Sequence, residues 1–136
     1  MSLFVDTSAW YAAADRADRS HERAKAVLSA PEELVTTDHI LIETWTLLHH
    51  RIGRKPALVF WEGLSSVAII ESVTGADVEV ARQIAVAWSD QDFSIVDCTS
   101  FAVMQRLGIR RAASYDADFA IFRFGPGRRL AFDVVR

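Results

Sequence analysis

The chain has 136 residues, 51% of them hydrophobic, with 15 basic against 18 acidic side chains and a formal net charge of −3. That composition fills the core of one domain over residues 1–136 and excludes disordered or low-complexity classes. No stretch longer than eight residues, as in Gly63–Ile70, lacks Asp, Glu, Lys and Arg, so no membrane helix of about 20 apolar residues fits.

The apolar run Leu3–Val5, stopped by Asp6-Thr7-Ser8, predicts a strand buried on both faces that feeds a helix. Asp6 also interrupts the start too early for a signal peptide. His21–Ala30 has helix-forming composition and is closed by Pro31; Leu34–Thr36 reads as a second strand. Asp38–Arg51 carries Leu41, Trp45 and Leu48 on one helical face and stops at Gly53. Lys55–Leu64 is a further helix, on which the adjacent Phe60 and Trp61 cannot share a face, so one of them is expected at the surface. Then follow a strand over Val67–Ile70, a helix over Asp77–Trp88 and the apolar run Phe93–Val96, read as leading into Asp97 like the other strands. The helix from Asp97 ends at Leu107 before Gly108, and Ala112–Tyr115 and Leu130–Phe132 are the last strands. Strands alternating with helices predict an α/β fold, a central parallel sheet covered on both sides. The lone Cys98 forms no internal disulfide, which points to a reducing, cytoplasmic home.

In such a sheet, sites form outside the carboxyl ends of the strands. Asp6, Asp97 and Asp116 each follow an apolar run. Glu43 lies within a helix, three or four residues from His39, Ile40, Thr46 and Leu47, so its carboxylate shares a partly apolar stripe, a costly place for a lone charge. Taken singly, the three aspartates serve as helix N-caps worth ~1 kcal/mol each, and Glu43 is a good helix former. Taken together, four carboxylates converging on one crevice would repel each other unless something positive fills it. A hard divalent cation such as Mg²⁺ suits that donor set.

The segments Phe4-Val5-Asp6-Thr7-Ser8-Ala9, Leu41-Ile42-Glu43-Thr44, Phe93 through Ala102, and Ala113-Ser114-Tyr115-Asp116-Ala117-Asp118-Phe119 resemble the PIN domain. Within it, they are most similar to the single-domain, VapC-type toxin ribonucleases. The resemblance spans essentially the whole chain, four motifs in register. It implies a three-layer fold with about five parallel strands and an Mg²⁺- or Mn²⁺-dependent endoribonuclease. It also implies a homodimer controlled by a cognate antitoxin protein, with Asp6, Glu43, Asp97 and Asp116 as the acidic set. On that basis Asp6 and Asp97 are expected as direct metal ligands, Glu43 as the holder of a water or a second ion, and Asp116 as the group that orients the attacking water. These four roles could be exchanged without contradicting the sequence. Asp118 is a candidate helper or a turn residue. Thr7, Ser8 and Thr99 could hydrogen-bond a carboxylate or a phosphate, with local capping favoured for Ser8. The implied antitoxin would cover apolar surface near Asp38–Leu64, around Trp45 and Trp61, and reach a basic side chain into the carboxylates.

Other readings are weaker. Phosphotransfer on an acidic Mg²⁺ site needs a late lysine, and the only lysines are Lys25 and Lys55. A catalytically silent RNA- or protein-binding module has no use for mutually repelling carboxylates, whereas a housekeeping nuclease of the same fold is an alternative to a toxin. The four histidines, His21, His39, His49 and His50, show no HExxH spacing, which argues against zinc. Cys98 beside Asp97 is expected to be structural, since a carboxylate disfavours the thiolate. Mild acidity argues against a grip on nucleic acid mainly by bulk charge, leaving Arg106, Arg110, Arg111, Arg123, Arg128 and Arg129 either as a solvated surface or as a local track for RNA.

Overall fold

The computed structural model describes residues 1–136. The chain runs β1 (Ser2–Val5), α1 (Thr7–Ala14), α2 (His21–Leu28), β2 (Glu33–Thr37), α3 (Asp38–Arg51), α4 (Arg54–Val67) and β3 (Ile69–Glu71). It continues through α5 (Gly75–Ala87), α6 (Ile95–Leu107), β4 (Arg111–Ala113), α7 (Asp118–Ile121), β5 (Arg123–Phe124), β6 (Leu130–Ala131) and β7 (Asp133–Val135). Five strands form the central sheet in the order β3-β2-β1-β4-β7, every neighbouring pair parallel. This is the expected α/β architecture, a five-stranded parallel sheet flanked by helices. No helix is long and apolar enough to cross a membrane.

Three stretches depart from the sequence expectation. Phe93–Val96 is not a strand, because α6 starts at Ile95: Ser94 accepts a bond from the Asp97 N–H, and Asp97 accepts one from the Ser94 N–H. This reciprocal capping box decides the local structure over the apolar run. Helix α4 extends to Val67, so the third strand begins only at Ile69. Leu130–Ala131 pairs antiparallel with β5 in a separate ribbon, and the fifth strand of the sheet is β7. Gly125 makes that ribbon: it sits at φ +73°, where a Cβ would fall 2.8 Å from Leu130 Cδ1. By contrast, α6 ends as expected, with Gly108 in the left-handed conformation at φ 69°.

The core sits between sheet and helices. Leu3, Phe4, Val5 and Ala112 are fully buried. Helix α6 is buried at every position from Asp97 to Met104, the mark of a helix enclosed on all sides. Below Asp97, Phe101 stacks on Phe122 with ring centroids 4.2 Å apart and meets Phe93 and Phe119 edge-on. Each such side chain contributes about 1.5–3 kcal/mol by burial, so the start of α6 is firmly seated. The sheet has one switch point: from β1 the order proceeds to β2 and β3 on one side, and to β4 and β7 on the other. Crevices for ligands open at such a point, beyond the carboxyl ends of the strands. Asp6 directly follows β1, and Ser114–Asp116 follow β4.

Candidate active site

A cleft of about 580 Å³ opens at that switch point, lined among others by Asp6, Thr7, Ser8, Glu43, Asp97, Asp116 and Asp118. All four carboxylates expected from the sequence reach it. Asp6 occupies the N-cap position of α1, yet its side chain makes no capping bond. Instead Asp6 Oδ2 accepts from Ser114 Oγ at 2.9 Å and from Ser8 Oγ at 3.0 Å. Glu43 arrives from the middle of α3, where Thr7 Oγ1 donates to its Oε1 at 2.6 Å. Asp97 is seated by its capping box, and Asp116 Oδ1 accepts from the Asp118 N–H at 3.1 Å.

The tightest grouping differs from the expected ranking. Asp97, Asp116 and Asp118 each place a carboxylate oxygen within 4.8 Å of the other two, so Asp118, expected only as a helper, belongs to the cluster itself. Burial pushes the Asp6 carboxyl up to about 6, against the hydrogen bonds from Ser114, Ser8 and the Thr7 backbone, and the charge of Asp116 adds to the rise. Asp97 is raised well above the carboxylate range, first by burial and then by the Asp118 carboxyl and the charges of Asp6 and Asp116. Burial also raises Asp118. Both carboxyls of this pair are thus held above their ordinary range, Asp97 being the more deeply buried of the two. No lysine or arginine pairs with any of the five carboxylates. Hard oxygen donors crowded together without a cation partner fit Mg²⁺ or Mn²⁺.

The supporting residues divide. Ser8 is not a helix cap: besides holding Asp6, its Oγ accepts from the Tyr115 N–H at 2.9 Å. Thr99 is buried, donates to the Val96 carbonyl and lies 3.4 Å from His39 Nδ1, away from the cleft, so it holds α6 against α3. Ser114, given no role from the sequence, is fully buried and ties Asp6 to the Asp116 N–H. The available signal was its position two residues before Asp116 at a strand end. The Cys98 thiol is pushed up to about 11 by burial, then by Asp97 and Asp118, as a structural cysteine should be.

None of the six late arginines lines the cleft. Arg106 pairs with Asp77, and Arg111 with Glu32 and Asp133. Arg123 donates to the carbonyls of Ala120, Ile121 and Phe122, while Arg110 and Arg128 lie over Phe124 and Trp88. Five of the six therefore have structural partners, and the cations that do line the cleft are Arg19 and Arg51.

A model of the PIN domain family matches residues 3–125. The chain belongs to the PIN-domain family. As a PIN-domain protein it is homologous to the 23S rRNA-specific endonuclease VapC20 of Mycobacterium tuberculosis, 40% identical over 124 residues, 90% of this chain and 95% of the relative. The crystal structure of that sarcin–ricin-loop-cleaving toxin matches with a TM-score of 0.80 at 39% identity, over 85% of this chain and 91% of that one. More distant structures share the PIN fold. VapBC2 of Rickettsia felis, bound to a promoter DNA fragment, gives a TM-score of 0.65 at 8% identity, covering 86% of this chain and 89% of that one. A toxin–antitoxin complex from Klebsiella pneumoniae also gives 0.65, at 15% identity over 98% and 96%. The chain is thus a PIN-domain ribonuclease of the VapC toxin type.

Proposed function

We propose that this PIN-domain protein is an Mg²⁺- or Mn²⁺-dependent endoribonuclease that cuts large-subunit ribosomal RNA in the sarcin–ricin loop, as the toxin of a toxin–antitoxin pair. The carrying observation is the convergence of Asp6, Glu43, Asp97, Asp116 and Asp118 on one cleft, in a chain 40% identical to an rRNA-specific endonuclease. Asp97, Asp116 and Asp118 would hold the ion, with Asp6 beside them. When bound, Mg²⁺ supplies neutralisation of the phosphate charge and acidification of water. Asp116 would orient the attacking water and accept its proton as the water oxygen bonds to phosphorus and the bond from phosphorus to the ribose oxygen breaks, that oxygen taking a proton from solvent. Glu43, fixed by Thr7, positions water from the α3 side. Ser8 and Ser114 keep the Asp6 carboxylate aimed into the cleft.

The same reading includes a cytoplasmic location, a homodimer and a cognate antitoxin. Support for the antitoxin comes from the apolar surface of α4, where Trp61 is 52% and Val59 66% exposed. Beside it lies a groove lined by Trp10, Leu28, Pro56 and Phe60. A basic side chain from the antitoxin would meet the unpaired carboxylates and exclude metal. Incubating the purified chain with 23S rRNA and mapping the ends tests the reading. One principal cut is expected with Mg²⁺ or Mn²⁺, and none with EDTA or after Asp6→Asn. Intact rRNA under all metal conditions would refute it.

A further inference from the structure

The two cations of the cleft, Arg19 and Arg51, are both exposed. Neither forms an ion pair, although Asp18 and Asp92 line the same cleft with the five carboxylates of the cluster. Arg51 is held by other means. Its guanidinium carbon lies 5.1 Å from the centroid of the Tyr11 ring, a cation–π contact. Tyr11 is itself buried, and its Oη donates to Asp15 Oδ2 at 2.8 Å, so the ring is anchored at both ends. A helix C-terminus favours cations in general, but His49 and His50 end the same helix, and of the three only Arg51 lines the cleft.

Glu43, Leu47 and Arg51 follow each other at four-residue spacing on α3 and all line the cleft. Eight residues of helix rise about 12 Å, which sets Arg51 at a fixed distance along the cleft from the carboxylate end. At ~3.4 Å per stacked nucleotide, that offset corresponds to a few nucleotides of a strand. An acidic cleft repels a polyanion, so a strand lying in it needs a cation that the carboxylates have not already neutralised. A guanidinium fixed in place offers forked, charge-assisted bonds to a phosphate.

We infer that Arg51, held by Tyr11, binds a backbone phosphate of the RNA a few nucleotides from the bond that is cut. It is a positioning residue for the strand, and this inference rests on the ribonuclease reading above. The test measures binding of a synthetic sarcin–ricin hairpin RNA across a salt series, in an Asp6→Asn background that cannot cut. Arg51→Ala should weaken binding about tenfold and flatten the slope of log K against log salt by about 0.7–0.9. Arg51→Lys keeps the charge and should restore the slope but only part of the affinity. With Asp6 intact, Arg51→Ala should raise KM far more than it lowers kcat. An unchanged slope and KM in Arg51→Ala would overturn the inference, even if the unaltered chain cuts normally. Failure of the unaltered chain to cut any RNA would instead count against the ribonuclease reading, which the cleavage arm reports separately.

Discussion

Asp77 and Asp97 start neighbouring helices with the same device and end in opposite electrostatic states. Thr74 and Asp77 open α5 with a reciprocal capping box, and Ser94 and Asp97 open α6 with another. Both carboxylates are buried, 3% and 6% exposed. Around Asp77 the chain supplies Arg106, which donates to both carboxylate oxygens at 2.9 and 3.0 Å and holds the carboxyl below its ordinary range. Around Asp97 it supplies Asp118, Asp6 and Asp116, so the carboxyl, raised first by burial, is raised further instead of being held down. Capping is therefore common to both and cannot account for the cluster. One aspartate is completed within the chain, whereas the other is left for a ligand to complete.

The largest expected contrast is in activity. Asp97→Asn keeps the capping geometry, and should lower rRNA cleavage on the order of 10³-fold, since the metal site supplies several kcal/mol of charge stabilisation. The same variant should melt no lower than the parent, because a repulsion has been removed. Asp77→Asn should cut normally; an equal loss of cleavage in both would mean that helix seating, not ligation, is what Asp97 provides. The pH profiles should also run in opposite directions. Asp6 titrates higher in the folded chain, about 6 against 3.8, so its stabilising effect is complete at low pH and lost as pH rises through about 6. At ~1.4 kcal/mol per unit this reaches about 3 kcal/mol, and Asp6 should lower the melting temperature in EDTA as pH rises from about 4 to about 6.5. Asp77 titrates lower in the folded chain, so its contribution is present above 3.8 and disappears below that value. Asp77→Asn should therefore flatten only the acid limb of the melting profile.

Next in size is the metal response. At pH 7.5, Mn²⁺ at 100 times its Kd should stabilise the fold by about 2.7 kcal/mol, read as a rise in melting temperature that Asp97→Asn abolishes and Asp77→Asn preserves. The smallest effect is the loss of the Asp77–Arg106 pair. Because Arg106 is 38% exposed and screened by solvent, Asp77→Asn should cost only about 1 kcal/mol, a few degrees in a thermal melt.

The parts of this arrangement visible in the chain are those set by local rules. The run Leu3–Val5 before Asp6 and the run Ala112–Tyr115 before Asp116 mark strand ends, and the helical setting of Glu43 shows in its three- and four-residue neighbours. Phe93–Val96 misleads because a short run with three apolar residues fits a strand or a buried helix start equally, and the arbiter, Ser94 paired with Asp97, is polar and easily passed over. Ser114 is silent in the sequence because its partners, Asp6 and Ser8, lie more than a hundred positions away. Asp118 is brought into the cluster by the turn that Asp116 caps, a tertiary outcome of a local bond. The late arginines are close in sequence but dispersed in space, because Asp77, Glu32, Trp88 and Phe124 had already claimed them.

The pairing of Val5 with Ala113 places side by side, in the middle of the sheet, two strands more than a hundred residues apart in the chain. A ribosome makes β1 well before β4, so a growing chain carries Asp6 and Glu43 long before Asp116 and Asp118 exist. Until then the nascent chain holds half a cluster and no crevice. A chain interrupted before β4 lacks Asp116 and Asp118, so the acidic site is complete only once that strand and the turn after it have been made.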